Sequence, residues 1–218
     1  LLLFGGDITP ERLLAILLAV GIGMTIHEFA HNYVAHRMGD PVPKQLGRLT
    51  LNPLVHINWV GWLMFALIGF GILGSAPISP YRMPIENRRW RWFAAVAAGP
   101  VSNLLLAIAF ALIFRLLPPS LFGSSTLNLI NFFYTLIIFN VVLFLFNLLP
   151  LFPIDGWNMV LALLPNDLAV QWQKYQSTTQ FIFFGLLLLS FVPGLPNPLT
   201  WLVFEPASQL TFALMSGF

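Results

Sequence analysis

The stretch RLLAILLAVGIGMTIHEFAHNYVAHRM, residues 12–38, decides the class of fold. A helix needs roughly 20 mainly apolar residues to cross a bilayer, and this run supplies them. Its second half nevertheless carries His27, Glu28 and His31. Ionisable groups at membrane depth are costly unless paired, coordinated or hydrated, so three together ask for a functional reason. No cleavable signal peptide carries such a trio, and the helix is expected to belong to the mature protein.

Spacing gives that reason a chemistry. Four residues along an α-helix amount to about 400° of rotation and about 6 Å of rise, so His27 and His31 face the same way, one turn apart. Two imidazoles so placed can share one zinc ion, while the adjacent Glu28 carboxylate reaches water beside the metal rather than the metal itself. Cysteine is absent from the chain, so any transition metal must be held by His, Asp or Glu.

Composition agrees with a membrane setting. Of 218 residues, 58% are hydrophobic and 8% charged, and the mean hydropathy is +0.83, far from the balance of a soluble domain. Ten basic against eight acidic residues give a net charge of +2. With no basic stripe, nucleic acid is excluded as a partner.

Further apolar runs lie at about 90–117, 126–149, 177–192 and 198–215, with a shorter glycine-rich one at 60–75. The expected fold is all-α and polytopic, a single domain over 1–218 with a core at about 10–165, C-terminal membrane segments at about 177–215, and about five to six membrane segments in all. The segment 39–59, with Pro41, Pro43, Gly47 and the alternation Arg48-Leu49-Thr50-Leu51, is expected to form one or two short strands near the membrane surface.

A catalytic zinc site usually takes three protein ligands and one water, so a third ligand must lie downstream. Asp7, Glu11, Asp40, Glu86 and Asp167 are more simply solvated or paired charges. Asp155 and Glu205 remain. Asp155 follows Asn147-Leu148-Leu149-Pro150-Leu151-Phe152-Pro153-Ile154, where two prolines break the helix, and it precedes Gly156, which permits close backbone approach. It is the preferred ligand, with capping of a short helix as its alternative role and Glu205 as the fallback ligand.

These residues resemble the site-2 protease family of intramembrane metalloproteases, whose hallmarks stand here as HEFAH at 27–31 and NLLPLFPIDG at 147–156. Asn52-Pro53-Leu54-Val55-His56, the loop from Gly61 to Pro80, and Ala98-Gly99-Pro100-Val101-Ser102-Asn103 extend the resemblance over roughly residues 20–165. It is closest to the compact branch that includes the sporulation-type proteases and lacks a PDZ domain. Asn58 departs from the pattern, an Asp being expected in many relatives. The resemblance implies a zinc-dependent protease, with one Zn2+ per chain, that cleaves transmembrane protein substrates in the lipid bilayer. It leaves room for a regulatory membrane partner or an oligomer.

Topology offers a test. His27, His31 and Asp155 must meet at one depth, so the ends of the first and third long helices must share a side. That requires 60–75 to be a re-entrant or edge segment, since a run of 16 residues rich in Gly61, Gly69, Gly71 and Gly74 is short for a span. Arg37, Lys44, Arg48, Arg82, Arg88, Arg89, Arg91 and Lys174 then lie on one side, with Arg12 and Arg115 on the other. The positive-inside rule makes the first side cytoplasmic and places the site nearest to it, in a cell-membrane protein.

In this reading zinc acidifies a water and polarises the scissile carbonyl, and Glu28 takes the proton and hands it to the leaving amine. Asn103 is expected to hydrogen-bond a substrate carbonyl or the oxyanion, or else to tie helices together. Asn147 and Asn140, seven apart on one face of their helix, are expected to support the site or to tie helices together, and His56 to line the substrate path or hold its own loop. The competing readings are a prenyl-protein-type protease with Glu205 as ligand, a zinc transporter or sensor, and a catalytically silent relative. A transporter would spread polar residues across the bilayer, whereas here they gather at one depth.

Overall fold

The computed structural model describes residues 10–68, 71, 73–118, 127–192 and 194–217. Three helices dominate: α1 (Pro10–Arg37), α5 (Arg88–Leu116) and α6 (Leu127–Asn147). Between them come α2 (Val42–Gln45), α3 (Pro53–His56) and α4 (Trp59–Ile68), and after them α7 (Asp155–Leu163), α8 (Asn166–Lys174), α9 (Gln176–Leu189) and α10 (Glu205–Ser216). At 1.5 Å per residue, α1, α5 and α6 are about 42, 44 and 32 Å long, enough for a hydrocarbon core of about 30 Å. Among the described residues these are the three helices long and apolar enough to cross a membrane. Of the expected five to six membrane segments these three have the length of a full span, while α9 has 14 residues and α10 has 12.

The bundle is built on two stripes of residues spaced four apart. Along α1 the buried positions Ala15, Ala19, Gly23, His27, His31 and Ala35 form one continuous face, and along α5 Ala95, Gly99, Asn103, Ala107 and Ala111 form another. In a bilayer the solvent gives no hydrophobic drive between helices, so small side chains that let backbones approach supply the contact instead. α6 lays the bulkier Phe133, Leu136, Ile137 and Val141 against this pair. The two imidazoles thus occupy positions that alanine or glycine holds elsewhere on the stripe, and the metal-binding face is the packing face.

The shared end of the bundle is tied by arginine. The Arg91 guanidinium donates to the Met38 carbonyl just past α1, and Arg89 donates to the Ala162 and Leu163 carbonyls at the end of α7. Asp40, fully buried, accepts from Arg82 Nε at 2.7 Å and Nη2 at 2.8 Å and from the backbone N–H of Val42 and Ser79. Burial by itself would raise this carboxyl's pKa; the Arg82 hydrogen bonds, with those two amides, outweigh it and hold the group below the usual carboxylate range.

The segment 39–59 corrects the expectation of strands. Among the described residues no strand forms, and the segment folds as the two short helices α2 and α3. Pro43 sits in the first turn of α2 and Pro53 in that of α3, where the missing N–H costs nothing, and the Asn52 side chain accepts from the Leu54 N–H as a cap. What remains of sheet pairing is one isolated antiparallel bridge between Ile57 and Gly74, beside which the Asn58 N–H donates to the Leu73 carbonyl. The chain therefore leaves at residue 57 and is back beside it by residue 74. α4, about 15 Å long, is half of a bilayer core; Gly69, Phe70 and Ile72 lie outside the described residues.

Candidate metal centre

Three donor atoms converge where the α1 stripe meets the start of α7. His27 Nε2 and His31 Nε2 are 3.0 Å apart, and Asp155 Oδ2 lies 3.1 Å from the first and 3.2 Å from the second. The residues are His27 and His31, both buried, and Asp155, partly buried. His31 and His27 lie six and ten residues before Arg37, about 9 and 15 Å along the helix from its end, so the site lies inside the bundle, nearer the arginine-tied end.

Each imidazole is fixed by what its other nitrogen does. His31 Nδ1 donates to the Ala95 carbonyl at 2.8 Å, and a carbonyl can only accept, so the proton sits on Nδ1. His27 Nδ1 lies 2.6 Å from Asn103 Oδ1. The Asn103 amide cannot be flipped, because its Nδ2 donates to the Gly23 carbonyl at 3.0 Å and to Asn140 Oδ1 at 3.1 Å, and Asn140 Nδ2 donates in turn to the Leu136 carbonyl. His27 therefore also carries its proton on Nδ1. In the neutral rings that metal binding requires, both Nε2 atoms bear lone pairs, and they face each other and a carboxylate oxygen.

Three lone-pair donors this close repel one another unless positive charge lies among them. Ligands at about 2.0 Å around a tetrahedral zinc are about 3.3 Å apart, close to the three separations here. The surroundings are also cut to shape. A Cβ on Gly99 would run into His31 Nε2 and lie 2.7 Å from His27 Nε2, so only glycine lets α5 pass the imidazole edges. The residues present fit a zinc ion: His27, His31 and Asp155 would hold it.

Asp155 is aimed by its neighbours. It is the first residue of α7, whose cap position is Ile154, and its carboxylate turns to the histidines rather than to the helix N–H groups. A Cβ at Gly156 would run into the Leu148 and Leu149 carbonyls, so the residue after the ligand must be glycine for the loop to fold back on α6. Glu205 begins α10, is exposed, and does not join the donor group.

Glu28 is buried with its Oε2 unpartnered, and Gly74 lies so near that a Cβ there would be 2.7 Å from Oε1. The return arm of the 57–74 excursion thus runs directly over the carboxylate. Asn103 is fully buried, and both hydrogens of its amide are spent, so in this arrangement it orients His27 and offers no donor to an oxyanion. Asn147 donates to the Leu143 carbonyl of its own helix. His56 is buried rather than open to a substrate, with its Nε2 donating to the Thr50 carbonyl at 2.8 Å. Sequence reasoning missed the close approach at Gly23 and Gly99, for which the four-residue stripes were the signal, while Asn140 accepts from Asn103.

No protein-family model and no solved structure matches the chain. Two curated proteins are similar to it. "Putative zinc metalloprotease YwhC" of Bacillus subtilis (strain 168) is 36% identical over 201 residues, covering 90% of this chain and 88% of that protein. "Putative zinc metalloprotease Rip2" of Mycolicibacterium smegmatis is 27% identical over 182 residues, covering 80% of this chain and 65% of its own length. With the first of these aligned along nearly its whole length, and with both sequence hallmarks on one converged donor set, the chain belongs to the site-2 protease family.

Proposed function

We propose that this protein is a membrane-embedded zinc metalloendopeptidase that hydrolyses peptide bonds in or beside the transmembrane helices of other membrane proteins. The observation that carries this reading is the convergence of His27, His31 and Asp155 beside an unpartnered, buried Glu28. The zinc-metalloprotease names of both relatives support it.

A zinc ion held by the three residues would supply Lewis acidity, acidifying a water and polarising the scissile carbonyl. The rest is done by the chain. His27 and His31 keep their Nε2 lone pairs on the site because Asn103 and the Ala95 carbonyl hold the Nδ1 protons. Glu28 takes the proton of the attacking water and delivers it to the leaving amine. A helical substrate keeps its carbonyls hydrogen-bonded, so it must unwind at the site. The backbone at Gly74, which already bridges to Ile57 and runs over Glu28, supports pairing with an extended strand there.

In this reading the 57–74 excursion is a re-entrant element, and α9 and the α10 region complete the membrane domain. Arg37, Lys44, Arg48, Arg82, Arg88, Arg89, Arg91 and Lys174 support a cytoplasmic position for the end nearest the site. The test is to incubate the detergent-purified protein with epitope-tagged single-span membrane polypeptides and map the cut by mass spectrometry. Zinc content is measured in parallel on wild type, Asp155→Ala and Glu205→Ala. A cut within or beside the span, with zinc lost on Asp155→Ala alone, is the expected result. Cuts confined to distant soluble segments, or zinc lost on Glu205→Ala alone, would overturn it.

A further inference from the structure

A small cavity beside Glu28 is lined by residues that carry two unpartnered acceptors. Its wall includes Thr25, Glu28, His56, Trp62, Leu73 and Gly74. Two buried polar atoms in that wall lack any partner, Glu28 Oε2 and His56 Nδ1, on side chains 4% and 3% exposed. His56 spends its other nitrogen as a donor to the Thr50 carbonyl, so the proton of the neutral ring is on Nε2 and Nδ1 is a bare lone pair. A carboxylate oxygen likewise only accepts. Leaving either atom buried and unsatisfied forfeits the solvation it had in water. The one small molecule that donates twice, tolerates a space of this size and is always at hand is water. The empty space, about 10 Å³, is enough for a single water.

We propose that this cavity is a built site for a single structural water that donates one hydrogen to Glu28 Oε2 and the other to His56 Nδ1, which makes His56 a positioning residue for the general base. The inference deepens the protease reading and rests on Glu28 having that role. The water fixes the carboxylate's rotation and leaves Oε1 as the oxygen for the reacting water. His56 itself is held by α3, which Pro53 and the Asn52 cap keep in place. The excursion therefore does more than cover the site: its entry, through His56, sets the orientation of a residue on α1.

Two substitutions separate this role from simple anchoring. Asn at position 56 keeps an acceptor where Nδ1 stood but loses the bond to Thr50; Gln keeps a donor for Thr50 but places no acceptor at Nδ1. With a tagged single-span polypeptide that wild type cleaves, His56→Gln is expected to lower kcat by at least about tenfold at unchanged KM and unchanged zinc content. His56→Asn is expected to restore most of kcat. The reverse order, with Gln active and Asn impaired, would overturn the proposal in favour of loop anchoring. An experimental structure fine enough to show ordered water supplies a second readout that does not depend on activity. Density between Glu28 and His56 in wild type and His56→Asn, and its loss in His56→Gln, is expected; a dry cavity in wild type overturns the water site even if cleavage is confirmed. Absence of cleavage with the density present would instead count against the protease reading alone.

Discussion

Asn103 Oδ1 accepts from His27 Nδ1 at 2.6 Å, between side chains that come from two different membrane-length helices, 76 residues apart in sequence. The contact joins packing to chemistry: the amide that closes the α1, α5 and α6 junction also decides which nitrogen of His27 faces the site. Replacing Asn103 with Ala removes that acceptor and leaves the ring free to turn. Zinc affinity, measured by competition with a chelator, is expected to fall about 10–100-fold. Asn103→Asp, which keeps an acceptor, is expected to fall less. Equal affinity in Asn103→Ala and wild type would show that the bond has no part in holding the metal.

Gly99→Ala tests the cradle. The added methyl carbon meets both imidazole Nε2 atoms, while alanine is itself a better helix former than glycine. The variant is expected to keep its helical circular dichroism and to lose stoichiometric zinc. Full zinc occupancy in the variant would mean that α5 can move aside without disturbing the donors.

Gly74→Val presses a side chain into the Glu28 carboxylate from the other direction, since a Cβ there lies 2.7 Å from Oε1 and 2.8 Å from Cγ. Displacing a reacting group by about 1 Å can cost about 100-fold in rate. The expected pattern is retained zinc with kcat lowered by about that factor, read from cleavage of a single-span polypeptide. Zinc loss together with activity would point to general unfolding of the segment instead.

Asp40 gives stability a pH dependence of predictable sign. Its carboxyl is held below its unfolded value near 3.9, so its contribution is fully present above that value and is lost as pH falls through the lower folded value. Asp40→Asn is expected to destabilise by about 1–3 kcal/mol at pH 7, toward the lower figure because the Arg82 side chain is 36% exposed and screened. In thermal unfolding in detergent, the gap between wild type and variant is expected to close as pH drops below about 4. A gap that stays constant down to pH 3 would remove the charge from the explanation.

The long helices and the ligand spacing were readable because each follows from local periodicity. HEFAH fixes two donors by helix geometry alone, and Pro150, Pro153 and Gly156 mark where a third can bend back. The excursion was harder, because α3 depends on the Asn52 side chain capping Leu54, which competes with the strand-like alternation just before it. Asn103 was visible as a polar residue in an apolar helix, but its partner was not. Which of several helices it faced is set by the Ala and Gly stripes meeting in three dimensions, and by Gly23, where a Cβ would lie 2.9 Å from Asn140 Oδ1.

The central claim is that Glu28 acts as a base beside a metal held by His27, His31 and Asp155. The most direct measurement pairs zinc content with cleavage of a panel of single-span membrane polypeptides, for wild type and Glu28→Gln purified alike. The account predicts about one zinc per chain in both and cleavage by wild type alone. Zinc in both with cleavage by neither would contradict the protease reading, and absence of zinc from both would contradict the metal centre itself.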